Sequence, residues 1–329
     1  MCAPSVDRTV TSMRTMGRTL ALVLVTTGAL AGCSFSFDEN RTFSDERTES
    51  SSVPEVRIVG GDGAITLRRT AGPAVLIHRE VSYRGSKPTG RQDTLDNRGA
   101  LVLDTTCGRS CVVNYRVELP DRVNVVGHVD TGPVDLMDVG TVAVDTHDGS
   151  IAVRGATGDV TVRTDTGPID LESIAGTVAA VSKDGSITAT TLSKSVTAVT
   201  DTGPISLTDV TGTVSARTKD GGITIDRVSG SVTAETDTGP ISADGLAGTR
   251  TLARSTDGSI TLRLTTAQDV DAHTATGPIE LTVPPVDGGY RVKTKTDTGS
   301  TAVNIATNPA GTRSLVVNTE DGSITINSV

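Results

Sequence analysis

Short aliphatic runs that alternate with polar residues recur through most of the chain, each placed in the same way around a glycine. Aliphatic side chains stand two and four positions after the glycine, and because side chains alternate along a strand, both point to one face. A third aliphatic position lies seven residues before the glycine. Each repeat therefore predicts two short strands separated by corners. The recurring glycines are Gly132, Gly149, Gly167, Gly185, Gly203, Gly221, Gly239, Gly258, Gly277, Gly299 and Gly322.

Six of the ten steps between these glycines are 17 or 18 residues long, and the last step is 23. A repeat of this size with strand periodicity is typical of a solenoid, in which each coil stacks on the one before it. The predicted fold is all-β, a single-stranded β-solenoid (β-helix) with about 18 residues per coil. Coils spaced ~4.8 Å apart give a rod roughly 50 Å long. Apolar stripes of helical period are missing after the first 30 residues, so we expect almost no helix; the handedness stays open.

Polar positions near the glycines show a longer period of two coils. The corners alternate between Asp-Thr-Gly-Pro and Asp-Gly-Ser, so that one residue before successive glycines Thr alternates with Asp. Two residues before the glycines, charges of opposite sign alternate. Since like charges ~4.8 Å apart repel, we interpret this column as a structural charge ladder that disfavours a slip by one coil. The charge ladder is Asp130, His147, Asp165, Lys183, Asp201, Lys219 and Asp237.

The stretch before the regular coils breaks the period. One coil-like turn begins near Val56, longer strands follow, and a polar loop lies over Gly85–Asn97. We interpret residues 54–120 as an N-terminal coil with a β cap, and residues 121–329 as the β-solenoid repeats. The predicted capping strands are Val75–Tyr83, Leu101–Asp104 and Val112–Leu119.

No such cap is predicted at the C-terminal end, because Val329 directly follows the last coil. We therefore expect the last strand to present an unpaired edge, which recruits another molecule. End-to-end self-association through this edge is one outcome.

The N-terminus has the composition of a targeting segment, with a positively charged stretch before the apolar run Leu20–Leu30. This run is well short of the ~20 residues that span a bilayer, which disfavours a retained transmembrane helix. The sequence Leu30-Ala31-Gly32-Cys33 resembles the lipobox of bacterial lipoproteins, at which a signal peptidase cuts before a lipid-modified cysteine. The resemblance implies a signal peptide over residues 1–32, lipidation of Cys33, and a protein anchored in the cell membrane that faces outside the cytoplasm. Residues 33–53 are predicted to be a polar tether.

The composition limits which classes of molecule the protein is expected to bind. Trp is absent and the three Phe lie near the N-terminus, so the core consists of aliphatic side chains. The formal net charge is −9, which argues against nucleic acid and anionic lipid headgroups as partners.

In an exported chain, the pair Cys107 and Cys111 is interpreted as a small disulfide loop. A metal role is disfavoured because no His or second Cys pair accompanies these cysteines.

The sequence shows no catalytic residue, metal site or cofactor motif. It lacks a GxSxG elbow, a P-loop, an HExxH motif and a CxxC pair. The four His residues lie without a matching acid-base partner in the sequence, and we interpret the corner Asp residues as turn formers rather than calcium ligands. Left-handed hexapeptide acyltransferases share the coil length, but the apolar spacing here is not a repeat of six. A carbohydrate-active β-helix enzyme needs long loops above a groove, and most corners here are short.

The TGPI and DGSI turns, the V-x-A strands and the preceding segment Tyr115–Pro120 resemble a bacterial β-strand-repeat family known as "putative adhesins", a domain of unknown function. The resemblance covers Val56–Val329. It implies a single β-solenoid, often attached to the cell envelope, with no catalytic residue to carry over.

These observations together indicate a non-catalytic, lipid-anchored surface protein, an adhesin or an envelope binding and spacer module. A self-assembling scaffold and, less favoured, a carbohydrate-active enzyme are the alternatives. The expected partners are the membrane, through lipid on Cys33, and a cell-wall polymer or envelope protein. Departures from the repeat place the recognition surface at the loop Gly85–Asn97 and at the corners Pro284–Tyr290 and Asn308–Arg313.

Overall fold

A computed structural model describes residues 39–50, 52–89, 93–108 and 110–329, which belong to one compact unit. Within these ranges the chain forms 29 β-strands and no α-helix. The predicted signal peptide over residues 1–32 and the predicted lipidation site Cys33 lie outside the described residues.

The strands fall into three groups along the chain. The N-terminal strands are β1 (Arg41–Glu49), β2 (Glu55–Val59), β3 (Ile65–Arg69), β4 (Val75–Tyr83), β5 (Asp93–Leu95), β6 (Leu101–Asp104) and β7 (Cys111–Leu119). The regular coils contain β8 (Asn124–Thr131), β9 (Val134–Met137), β10 (Val142–Asp148), β11 (Ile151–Arg154), β12 (Val160–Thr166), β13 (Ile169–Ile174), β14 (Val178–Asp184), β15 (Ile187–Leu192), β16 (Val196–Thr202), β17 (Ile205–Val210), β18 (Val214–Asp220), β19 (Ile223–Val228), β20 (Val232–Thr238), β21 (Ile241–Leu246), β22 (Arg250–Asp257), β23 (Ile260–Leu264), β24 (Asp269–Thr276) and β25 (Ile279–Val283). The last strands are β26 (Arg291–Lys295), β27 (Thr301–Asn304), β28 (Ser314–Asp321) and β29 (Ile324–Ser328).

Each regular coil gives one strand to a 14-stranded sheet and one to a 15-stranded sheet. Successive coils pair in parallel and in register, as β12 does with β14 and β13 with β15. The predicted single-stranded β-solenoid is confirmed: one chain winds through all the coils, and each regular coil contributes two β-strands.

The predicted aliphatic columns fill the space between the two sheets. Ile169, Ile187 and Ile205 lie above one another in the 15-stranded sheet and are fully buried. Val160 and Val178 do the same in the opposite sheet. Burying such a side chain stabilises the fold by about 1.5–3 kcal/mol, so the columns are the main source of cohesion between coils.

The one polar residue in the third aliphatic column has a buried partner. Thr251 is fully buried, and its hydroxyl lies 3.0 Å from Oε1 of Gln268, which is also fully buried. The Gln268 amide donates in turn to the carbonyl oxygen of Leu246 at 3.1 Å. This chain satisfies the polar groups that interrupt the column.

A column of buried hydroxyls ties the glycine corners together. The Oγ1 of Thr200 donates to the carbonyl oxygen of Gly185, in the coil below, at 3.0 Å. The Oγ of Ser182 donates in the same way to Gly167 at 3.2 Å. Each bond satisfies a corner carbonyl that the strand ladder leaves free.

The N-terminal coil is inserted beneath the regular coils. The coil of β2 and β3 stacks directly on β8 and β9. The strands β6 and β7 come later in the chain, but they lie on the other side of that coil, away from the regular coils. The predicted capping strands are present at β4, β6 and β7, and β4 runs antiparallel to β7. The predicted polar loop contains a further strand, β5, because Asp93 turns inward and the segment pairs antiparallel with β6.

The prediction of a polar tether over residues 33–53 is wrong for Arg41–Glu49. This segment forms β1, which pairs antiparallel with β4 along its whole length. Although the segment is mostly polar, its side chains alternate between exposed and half-buried, and every second side chain from Phe43 is half-buried. Charged inward-facing residues find partners there, so a strand forms without an aliphatic face.

The prediction that the last strand is an open edge is also wrong. The final pair, β28 and β29, lies between the coil of β24 and β25 and the strands β26 and β27. After β25 the chain first forms the outermost coil, β26 and β27. It then returns to form β28 and β29 between that coil and the coil of β24 and β25. The free edges at this end of the solenoid are therefore β26 and β27.

Alternation of Thr and Asp at the corners accounts for this order. In chain order Thr276 is followed by Thr298 and then by Asp321. In space Asp321 pairs with both Thr276 and Thr298. The inserted coil thus continues the two-coil period to the end of the solenoid, and Asp62 continues it at the other end by pairing with Thr131.

Candidate functional site

The predicted charge ladder consists of separate ion pairs rather than a continuous chain. Asp165 lies 2.9 Å from Nδ1 of His147 and 2.7 Å from Nζ of Lys183. Lys219 pairs with Asp201 at 2.9 Å. A hydrogen bond from Lys183 is the largest cause that holds the pKa of Asp165 below its usual value.

The first member of the ladder pairs with a histidine outside it. Asp130 lies 2.8 Å from Nε2 of His128, and the other ring nitrogen of His128 contacts Asp145. Partial burial tends to lower the pKa of His128, but the hydrogen bonds to Asp130 and Asp145 and their negative charges outweigh it and raise the pKa. This cluster was not predicted, although His128 and Asp145 both lie four residues before a repeat glycine, one coil apart.

Three histidines contact carboxylates, and of these contacts only that of His147 with Asp165 lies in the predicted ladder. His128 and His147 do so on the coils, and His78 lies 3.3 Å from Glu46 in the cap. All three pairs lie on the surface of sheets. Within the described ranges, no group of three or more His, Cys, Asp and Glu residues is placed to hold a metal ion.

A buried ionic network holds β1 on the cap. Arg79, only 4% exposed, donates to both carboxylate oxygens of Asp45 at 3.2 and 2.6 Å. Arg47 bonds to the buried Asp93 on β5 at 3.3 Å. Burial, with the charge of Asp93 as the next cause, raises the pKa of Tyr115 beneath them. The network explains how a polar strand is retained at this end of the solenoid.

One corner of the solenoid carries a column of residues in the left-handed region. Their φ angles lie between +54° and +58°, which is uncommon for residues other than glycine and strained for the β-branched Thr191. Beside this corner a shallow cavity of about 330 Å³ runs past Thr191, Asp209 and Arg227. Asp209 and Arg227 form an ion pair across it at 2.6 Å. The non-glycine residues of the column are Asp138, Ser173, Thr191, Asp209 and Arg227.

The C-terminal end of the solenoid has two cavities at the uncovered end of its core. One, of about 530 Å³, is lined by residues that include Val292, Val303 and Pro309. The other, of about 400 Å³, lies beside Tyr290 and Ile305. The hydroxyl of Tyr290 donates to the carbonyl oxygen of Pro284 at 2.8 Å, and burial raises the pKa of Tyr290.

The two predicted recognition corners meet at this end. Asn308 donates from its side-chain amide to the carbonyl oxygen of Gly288 at 2.7 Å, and Tyr290 pairs with Thr307. The third predicted segment, Gly85–Asn97, lies at the opposite end, on the cap, and its residues 90–92 lie outside the described ranges.

The two cysteines of the cap are bonded in the structure. Their sulfur atoms are 2.08 Å apart, and the link closes the turn that leads into β7. Cys107 packs beside the core at this end.

The protein is therefore an all-β repeat protein, and its polar residues lie on the outer faces of the sheets and at the corners. The family model described as Toastrack DUF4097 matches residues 186–328. This match covers the coils from β15 onward, including the inserted final coil, and that part of the chain is similar to a β-repeat domain of unknown function. Comparison with curated proteins finds no match.

Two crystal structures are similar to the chain over most of its length. A "putative cell adhesion protein" from Clostridium sporogenes is 10% identical, with 88% of this chain and 100% of that chain covered and a TM-score of 0.20. A "putative adhesin" from Bacteroides fragilis is 10% identical, with 89% and 99% covered and a TM-score of 0.25. Superpositions at these TM-scores do not establish a common fold. Among the described residues no helix is both long and apolar enough to cross a membrane.

Proposed function

We propose that the protein is a non-catalytic, adhesin-like binding module of the cell surface, anchored through lipid on Cys33. The observation that carries the proposal is the continuous β-solenoid itself, many of whose polar side chains form ion pairs between coils and hydrogen bonds at the corners. The family match to Toastrack DUF4097 supports a module of this kind. The names of the two similar crystal structures agree with a role in adhesion.

A binding role fits the surface better than catalysis does. His128, the histidine with the most contacts, has both ring nitrogens occupied by carboxylates. The two cavities at the end of the core are lined by aliphatic and small polar residues and, in one of them, by Arg291 and Lys293. A hydrolytic carbohydrate enzyme requires a pair of carboxyl groups placed across a substrate groove, and neither end cavity is lined by a carboxylate.

The lipid anchor is proposed from the lipobox-like sequence that ends at Cys33. Only seven residues separate Cys33 from Arg41, the first residue of β1, and they reach at most about 25–30 Å when extended. The cap would then face the membrane. The free edges β26 and β27 would lie at the far end, ~65–70 Å away by strand spacing.

Anchoring is tested by expressing the full chain in a bacterial host fed with an alkyne analogue of palmitate. We expect the wild type and a Cys2→Ser control to incorporate the label and sediment with membranes, and Cys33→Ser to do neither. Equal labelling of Cys33→Ser would contradict the anchor. Binding is tested separately, by sedimentation of the full chain with isolated cell-wall polymer.

A scaffold that polymerises end to end is the second candidate, because the structure has free strand edges at its C-terminal end. Sedimentation velocity over a range of concentrations separates the two. Growth of the unliganded chain into long species favours the scaffold, whereas a monomer that binds polymer favours the adhesin-like module.

A further inference from the structure

Among the residues that the structure describes, no strand pairs with one hydrogen-bonding side of β26. Arg291 donates its backbone N–H inward to Arg313 at 2.9 Å. In a parallel ladder alternate residues point to opposite neighbours, so the N–H and C=O groups of Val292 and Thr294 face the free side. Such an edge is a template for one more strand.

The core beneath this edge is incompletely covered. Val292 and Val303 are half-buried, whereas the residues at the same positions in the inserted coil, Leu315 and Ile326, are fully buried. The cavity of about 530 Å³ lies between them. An added strand would bury this aliphatic surface on one of its faces.

The outward face of β26 is cationic in an otherwise acidic protein. Arg291, Lys293 and Lys295 all point outward and are exposed, while the chain has a formal net charge of −9. Lys295 has an ion-pair partner, Asp297, at 3.2 Å. Lys293 has none in the part of the chain that the structure describes. An acidic strand beside β26 would place carboxylates opposite these cations, and such cross-strand pairs stabilise a sheet.

A second copy of this chain fits the edge less well. Antiparallel pairing of β26 with itself would set Lys293 against Lys293 and Arg291 against Lys295, and like charges opposite each other destabilise a sheet. In head-to-tail stacking the matching strand at the other end of the 14-stranded sheet is β5, which has only three residues. Its Asp93 is buried and already engaged by Arg47.

We propose that the C-terminal end of the solenoid is a docking surface for an extended acidic segment of a partner protein, which adds as a strand to β26. Its acidic side chains meet Arg291, Lys293 and Lys295. Its alternate side chains are small and apolar, and they cover Val292 and Val303. The docking surface specifies which class of partner the proposed binding module takes. The inference therefore rests on the proposed function.

The test uses a fluorescein-labelled octapeptide of alternating Glu and Val, titrated with the full chain and followed by fluorescence anisotropy. A peptide of alternating Lys and Val is the probe control. We expect saturable binding of the acidic peptide, weakened by raising NaCl from 0.15 to 0.5 M because the pairs are exposed. The basic peptide is expected to bind at least tenfold more weakly.

Two variants address charge and backbone separately. Lys293→Glu reverses the central charge, and Thr294→Pro removes an N–H that faces the free side, a position where a strand edge tolerates proline. Each is expected to weaken binding at least tenfold. Lys194→Glu makes the same charge change at an exposed residue outside the strands and should leave binding unchanged. Backbone amides of residues 291–295 should exchange more slowly with deuterium when the peptide is bound.

Absence of acidic-peptide binding up to millimolar concentration, or binding unaffected by Lys293→Glu and by Thr294→Pro, overturns the proposal. So does self-association of the unliganded chain that Thr294→Pro abolishes, since the occupant would then be a second copy. Anchoring plays no part in this assay, so a chain that is lipidated but binds no peptide refutes the docking surface alone.

Discussion

A glycine lies at the same corner of every coil because the neighbouring coil leaves no room for a Cβ atom. A Cβ on Gly203 would lie 2.6 Å from the carbonyl oxygen of Gly185, and one on Gly185 would lie 2.0 Å from that of Gly167. The Asp-Thr-Gly-Pro corners add a second constraint. Gly203 has φ of +132° and Gly167 has +134°, values that L-residues rarely adopt.

Gly203→Ala is therefore expected to destabilise the protein by about 2–5 kcal/mol, the sum of backbone strain and steric overlap. The measurement is urea unfolding followed by circular dichroism. Gly288→Ala is the matched control, because Gly288 also has positive φ, +82°, but no atom lies within 4 Å of a Cβ built there. Equal losses in the two variants would show that steric overlap in the column is unimportant.

The raised pKa of His128 predicts a pH dependence of stability. A group whose pKa is higher in the folded state stabilises the fold fully below its unfolded value of about 6.5. That stabilisation is lost as pH rises through the folded pKa. The unfolding midpoint of the wild type should exceed that of His128→Asn most at pH 5–6, and the difference should shrink towards pH 8. His273→Asn, at a position without an ion-pair partner among the described residues, should show no such trend, and a constant difference for His128→Asn would contradict the assignment.

At the scale of strands, the ladder pairs act between neighbouring coils. Lys219 donates to Asp201, and this bond is the largest cause that raises the pKa of Lys219. Because the pair is exposed, its contribution is small and screened by salt. The aliphatic columns hold the coils together, and we propose that the ladder favours one register over its neighbours.

Lys219→Asp should lower the thermal midpoint modestly, since it removes the pair and adds a like charge beside Asp201. Lys219→Met removes the pair without adding a charge, so it should cost less than Lys219→Asp, and 1 M NaCl should reduce the difference. A double-mutant cycle of Lys219→Met with Asp201→Asn measures the coupling of the pair. Equal losses for Lys219→Met and Lys219→Asp would mean that local turn bonds, rather than the charges, explain the ladder.

Strand positions in the coils could be predicted because the aliphatic columns repeat with a fixed offset from glycine. The strand β1 could not, since its inward side chains include Asp45 and Arg47, whose partners Arg79 and Asp93 lie 34 and 46 residues away. The cluster around His128 had a signal in the repeat, because His128 and Asp145 both lie four residues before a repeat glycine and pair in successive coils. The strand β1 lies outside the repeat and has no such signal.

At the scale of the whole molecule, the order of the coils at both ends departs from chain order. The corner alternation of Thr and Asp held the signal for this order, because Thr276 and Thr298 follow one another in sequence and only an inserted Asp321 restores the period. Reading the coils in chain order placed the free edge at Val329. The insertion instead exposes β26 and β27, and with them the cationic docking surface.

The position of the final coil is tested most directly by cysteine cross-linking of outward-facing residues. Glu280 pairs with Thr325 on β29, and Thr325 pairs with Ala302 on β27. Two strand spacings therefore separate Glu280 from Ala302, ~9.6 Å, which is too far for a disulfide. After mild oxidation and peptide mapping by mass spectrometry, Glu280→Cys with Thr325→Cys should be linked, and Glu280→Cys with Ala302→Cys should remain reduced. The reverse result would place the coils in chain order and contradict both the inserted coil and the exposed edge at β26.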